Sequence, residues 1–172
     1  MDFELAKVLA SVGGFVAAAG VVTHWALVIV GAVLLYLGLS AYVEREGDQS
    51  AKNNVLYWLI YVVFASVAYA AAHAAFGFPM WGGWWVLAAG LSLAVGIAAW
   101  VAGWVLQVAA AVRIRPVLEF MKDKTRDDIF KIANTLYWWG SILAIIFIGH
   151  ILLLVSYLLL AISFIVSINK KA

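Results

Sequence analysis

Three histidines are the sharpest candidates for chemistry in this chain: His24, His73 and His150. When the apolar stretches are threaded as paired membrane crossings, all three fall at one end. Three imidazoles could hold Zn²⁺ with an open position, and two could ligate a haem. Their spacing matches no metal signature, however, and no carboxylate lies near that end to orient the rings. Two of the three also occupy turns, where an amphipathic residue suits the membrane interface. The sequence therefore predicts no cofactor, and His24, His73 and His150 stand as the candidates for a metal or haem if one is held.

Other chemistry is sparse. There is no Cys, which excludes disulfides, thiolate metal sites and cysteine nucleophiles. The predicted membrane interior holds no Asp, Glu, Lys or Arg. Such groups at mid-membrane mark proton relays, ion coupling and voltage sensing, so pumps, proton-coupled transporters and voltage sensors are disfavoured. The interior polar residues are mild: Ser11, Ser40, Ser66, Ser92, Ser141, Ser156, Ser163 and, most polar, Gln107 near the inner end of helix four. No G-x-x-x-x-G-K-[ST], H-E-x-x-H or G-x-S-x-G occurs. Without a nucleophile–base or carboxylate pair, the expectation is a protein that is not an enzyme.

The elements that position these residues follow from composition. The chain is 67% hydrophobic and 12% charged, with a mean hydropathy of +1.04. A soluble domain is nearer half apolar and a quarter charged, so the solvent here is lipid. A spanning helix needs roughly 20 apolar residues. Three apolar blocks, 5–43, 54–112 and 129–168, are each long enough for two crossings. Breaks fall near Val22–Trp25, at the Gly- and Pro-rich Phe76–Gly83, and near Gly149–His150. The prediction is an all-α integral membrane protein, a single domain of six transmembrane helices in three hairpins. The helices are expected at about 5–22, 25–43, 54–75, 84–112, 129–148 and 151–168, with cytoplasmic loops 44–53 and 113–128. The apolar stretches show no period-two alternation, which argues against a barrel. The N-terminus lacks a basic n-region, so no removable signal peptide is expected.

Six crossings put the N-terminus, both charged loops and the C-terminus on one side. That side then holds all eleven Lys and Arg, and the three opposite turns hold none. The positive-inside rule makes it cytoplasmic. Acidic residues begin helices one (Asp2, Glu4), three (Asp48) and five (Asp127, Asp128), where they complement the positive dipole ends. Thr125-Arg126-Asp127-Asp128 resembles a capping box. The formal charge of +2 does not suggest a nucleic-acid partner.

Aromatic residues read as two interfacial belts. Trp58, Trp138 and Trp139 are expected as anchors at the inner interface, and Trp25, Trp81, Trp84 and Trp85 at the outer one. Small residues at i,i+4 spacing are expected to bring helices together: Gly14/Ala18, Gly90/Ala94 and Ala99/Gly103. Segment 113–128 mixes basic, acidic and apolar residues. It suits a solvated connector, a short amphipathic helix or a docking site for a partner. A weak repeat is visible: Asp48…Asn54-Val55-Leu56-Tyr57-Trp58 recurs as Asp128…Asn134-Thr135-Leu136-Tyr137-Trp138.

Ala6-Lys7 with Gly13-Gly14, then Asp48 with Asn54-Val55-Leu56, and above all Asp127-Asp128-Ile129-Phe130-Lys131, Gly140 and Ile142 to Gly149 form a set of features. Together they resemble the archaeal membrane protein family known as domain of unknown function 996. The likeness continues through Ile151-Leu152-Leu153 and Ala161-Ile162-Ser163-Phe164. The heavy Trp and Ala content of 76–112 departs from it. The resemblance implies an archaeal cell membrane and transfers no active site. By subtraction, the chain is expected to be a scaffold or accessory subunit of a membrane assembly. Its expected partners are lipid, itself or another membrane protein. The alternatives are a passive channel or facilitator for a small neutral solute and, more weakly, a His-ligated haem or metal protein.

Overall fold

The structure, a computed structural model, describes residues 2–76 and 85–166. Six helices follow one another: α1 (Phe3–Val22), α2 (Trp25–Arg45), α3 (Gln49–Phe76), α4 (Trp85–Thr125), α5 (Asp128–Leu143) and α6 (Ile148–Val166). A single 3-10 turn, Ala144–Ile146, joins the last two. All six are long and apolar enough to cross a membrane. Among the described residues there is no strand. Each helix packs on its neighbours in sequence, and α6 returns onto α1, so the bundle closes as a ring.

Small residues set the tightest contacts in that ring. Gly13, Gly31 and Gly38 bring α1 and α2 to backbone contact: a Cβ on Gly31 would collide with the backbone of Ala17, and one on Gly38 with Ala10. On the other side of α1, a Cβ on Gly14 would stand 2.8 Å from the Tyr157 carbonyl oxygen and 2.8 Å from the Ala161 Cβ. Close approach of this kind replaces the hydrophobic effect that lipid cannot supply between helices. On α4 the inward side chains recur at spacings of three and four residues: Trp100, Gly103, Gln107, Ala110, Ile114, Val117 and Met121. From Gly103 to Met121 these are buried, and the 3-4 spacing keeps one seam of the helix facing its partners.

The connections at the charged end are shorter than the sequence suggests. The expected loop 44–53 contracts to Glu46-Gly47-Asp48, and 113–128, expected as a loop, is helical as far as Thr125. Ile114, Val117, Leu118 and Met121 are each at most 1% exposed and join one cluster with Val43, Val55, Phe130 and Phe164. Burial of that stripe and the Arg115–Glu119 pair at i,i+4 carry the helix through Pro116. Forty-one residues at ~1.5 Å each make α4 about 60 Å long, roughly twice a hydrocarbon core, so an upright α4 extends past the core and its charged end from Arg113 is the part suited to water. The Thr125 hydroxyl bonds back to the Met121 carbonyl (2.8 Å) and caps nothing on α5. Asp127 is the cap instead, accepting from the Ile129 N–H at 3.0 Å, as Asp48 accepts from the Ala51 N–H at 2.9 Å on α3.

The charged groups of separate helices meet at one end. Lys52 pairs with Glu44 at 3.0 Å and Lys124 with Glu46 at 3.1 Å. Arg45 lies 4.8 Å over the Phe3 ring and Arg113 lies 5.0 Å over Tyr57. Exposed ion pairs of this kind contribute about 0–1 kcal/mol each. Their value here is positional, because they show the ends of α1 to α4 gathered on one side. The expected turn at 77–83 lies outside the described residues, as do Trp81, Trp84 and the side chain of Trp85.

Candidate functional site

At the end opposite the charges, α2, α3, α4 and the start of α6 bring together Trp25, Tyr69, His73, Trp100, Phe147 and His150. Trp25 stacks on Tyr69 with ring centres 4.7 Å apart, and Trp100 meets Tyr69 edge-on at 5.0 Å. His150 fits between them, 5.5 Å from Trp25 and 5.8 Å from Trp100. Gly103 makes room for this layer: the Tyr69 ring lies 3.0 Å from where its Cβ would be. Phe147 has φ +61 and joins the cluster 5.1 Å from Trp100. Positive φ in a bulky residue costs about 1–3 kcal/mol, so the chain accepts strain to turn into α6 here.

The three histidines do different things. His24 caps α2, its Nδ1 accepting from the Ala26 N–H at 3.2 Å. The His73 Nδ1 lies 2.8 Å from the Tyr69 carbonyl and 3.2 Å from the Trp25 indole nitrogen. One tautomer donates to the carbonyl and the other accepts from the indole, so the two bonds alternate. Both His150 ring nitrogens and the Tyr69 hydroxyl are buried and, among the described residues, have no hydrogen-bond partner. His24, Trp25 and His73 line an outer cleft of about 460 Å³. Among the described residues, no three His, Asp or Glu are grouped to hold a metal ion. The sequence drew the three histidines together as one possible ligand set, whereas His24 is occupied as a helix cap.

Deeper in the ring lies a second polar cluster. The Tyr137 hydroxyl accepts from the Trp58 indole N–H (2.9 Å) and from the Gln107 amide (3.1 Å), and stands 3.4 Å from the Tyr157 hydroxyl. The Gln107 amide also reaches Ser141 Oγ at 3.4 Å. Trp58, Tyr137 and Tyr157 are each 1% exposed. Trp58 is therefore a core residue and not the interfacial anchor that its place near a helix end suggested. Gln107 faces the ring centre and does not reach for headgroups. Sequence reasoning missed Tyr137 and Tyr157 as partners. The available signal was Gln107, the most polar of the residues expected in the membrane interior, which must find partners in lipid.

The remaining expected residues divide by helix. Gly14 and Ala18 are buried between α1 and its neighbours, and Gly103 faces Tyr69. Ala99 is half-buried. Gly90 has nothing within 4 Å of its would-be Cβ, and Ala94 is exposed. With Ala98, also exposed, they form an uncovered i,i+4,i+8 stripe. Near the charged end, Trp139 is 52% exposed, and half-buried Trp138 lies under Arg115 at 5.6 Å.

The ring of six apolar helices makes this a multi-pass membrane protein. No curated protein and no solved structure matches the chain. A family model described as a protein of unknown function matches residues 27–158, from the start of α2 into α6, and the chain belongs to that family, DUF996.

Proposed function

We propose that the protein is a non-catalytic scaffold or accessory subunit of a membrane assembly, packing through the outer half of α4 against a second copy or another membrane protein. The observation that carries this reading is the uncovered Gly90/Ala94/Ala98 stripe. In the most apolar 18 residues of α4 only 28% are buried, against 39–44% in the other five spans. Elsewhere comparable small residues are consumed inside the ring, as on α1 and α2. A small-residue face left to lipid is the geometry by which membrane helices associate. The charged end is assigned to the cytoplasm on the loop-charge rule.

The alternative is passive permeation of a small neutral solute. It has less support, because the ring centre holds Trp58, Tyr137 and Tyr157 bonded to one another. Several serine hydroxyls are also spent on backbone carbonyls: Ser11 on Lys7, Ser156 on Ala133, Ser163 on Leu159 and Ser92 on Ala75. A His-ligated haem or metal would show as a Soret band or stoichiometric metal in the purified protein.

The test is self-association in bilayers at decreasing protein-to-lipid ratio, read by energy transfer between labelled copies. Gly90→Leu with Ala94→Leu is expected to weaken association about ten-fold without lowering thermal stability, since Gly90 has open space around it and Ala94 is exposed. Passive solute flux through liposomes holding only this protein would sink the scaffold reading.

A further inference from the structure

At the charged end, the projecting half of α4 and the first turns of α5 enclose a cleft of about 530 Å³. That lies within the ~300–1,000 Å³ usual for ligand sites. Its walls are two helical faces. From α4 come Arg115, Glu119 and Lys122, at i, i+4 and i+7; from α5 come Lys131, Asn134 and Trp138, at i, i+3 and i+7. Periodicity places each set on one side of its helix, so both faces look into the same space.

Three features single the cleft out. Lys131 is exposed and, among the described residues, pairs with no carboxylate, whereas Arg115 has Glu119 at 3.0 Å and Lys122 has Asp123 at 3.7 Å. Asn134, 8% exposed as a residue, lines the cleft, and its amide bonds no protein group among the described residues. The amide is not sealed off from the cleft, so it is open to bond a group held there. Finally, the wall next to Lys131 is apolar and open to lipid. Ile132 and Trp139 are each 52% exposed there, and an exposed indole beside apolar surface suits contact with lipid.

We propose that this cleft binds the phosphate of a membrane-lipid headgroup. The Lys131 ammonium supplies the charge that nothing else neutralises, and the Asn134 amide N–H donates to a phosphate oxygen. Arg115, held over Trp138, is the second cation within reach. Glu119 and Asp123 then accept from hydroxyls on the headgroup. The acyl chains lie along the exposed Ile132–Trp139 side of α5. Basic pockets at the cytoplasmic ends of membrane helices recognise lipid headgroups in this manner. A free phosphate ion would use the same polar groups and leave the apolar wall unused, which favours the lipid as the source.

Native mass spectrometry of the delipidated full chain tests the proposal. Phosphatidylglycerol is expected to bind at one saturable site. Diacylglycerol, which has the chains and no phosphate, is expected not to bind there. Lys131→Gln should weaken binding about five-fold, the effect of one surface cation, and Asn134→Leu by a similar factor through loss of one hydrogen bond of about 1 kcal/mol. Lys52→Gln, which removes a cation outside the cleft, should leave binding unchanged. If Asn134→Leu does not fold, the exposed Lys131→Gln decides alone. Equal binding of diacylglycerol, or equal loss with Lys52→Gln, overturns the site. Displacement of the lipid by millimolar inorganic phosphate at equal affinity overturns the lipid as its ligand.

Discussion

Tyr137 shows how much depends on a single oxygen. Its hydroxyl accepts from two helices and stands within reach of a third, so it ties α3, α4 and α6 to α5. Tyr137→Phe keeps the ring and strands the Trp58 N–H and part of the Gln107 amide. A stranded buried donor costs about 1–3 kcal/mol in water-soluble proteins. Hydrogen bonds between membrane helices average nearer ~0.6 kcal/mol, because the unfolded chain in lipid finds other partners. The expected loss for Tyr137→Phe is therefore about 1–2 kcal/mol, read as a lower midpoint in reversible detergent unfolding. Tyr157→Phe breaks only the long 3.4 Å contact and should cost less than half as much. The same residues explain why aromatic side chains were misjudged from sequence. An indole ten residues into a helix satisfies its N–H equally well with headgroups or with a neighbouring phenol. Which of these happens depends on how far the helix is rotated.

At the scale of the helices, small residues divide into those the fold consumes and those it leaves open. Gly31 belongs to the first kind, with the α1 backbone at Ala17 occupying the space its side chain would need. Gly31→Val must separate α1 from α2, and overpacking of this sort costs about 1–3 kcal/mol. The expected result is a clear fall in thermal stability and loss of an engineered disulfide between α1 and α2. Gly90→Ala, with open space around it, should change stability by less than ~0.5 kcal/mol. Both are glycines in apolar helices, and nothing in their immediate sequence separates them. The α4 extension carries a related lesson. Its charges read as a loop, yet the buried stripe Ile114–Val117–Leu118–Met121 was present in the sequence at helical spacing.

For the whole molecule, the gathering of charged ends implies a definite sidedness. The chain has no cysteine, so single introduced cysteines report topology without background. Ser50→Cys on α3 and Asp123→Cys on α4 should react with a membrane-impermeant maleimide only in inverted vesicles. Thr23→Cys, between α1 and α2, should react only in intact cells. Labelling of Ser50→Cys and Asp123→Cys in intact cells would refute the assignment of the charged end to the cytoplasm. Six crossings and this sidedness rest on one physical fact, that charge does not stay in hydrocarbon.

The number of helices, their pairing into hairpins and the common side of the charges are determined by the sequence by itself. Each is a statement about solvation, and solvation is a sum over local stretches of chain. The family was legible too, in the polar start and apolar run of α5 and α6. Closure of α6 onto α1, the rotation that buries Trp58 and Tyr137, and the packing of His73 and His150 into one aromatic cluster are decided only by the tertiary structure. So is the cleft at Lys131 and Asn134. In a chain that is apolar nearly all round, helix rotation leaves no strong periodic signal. The faces are chosen by packing between residues as distant in sequence as Trp58 and Tyr137.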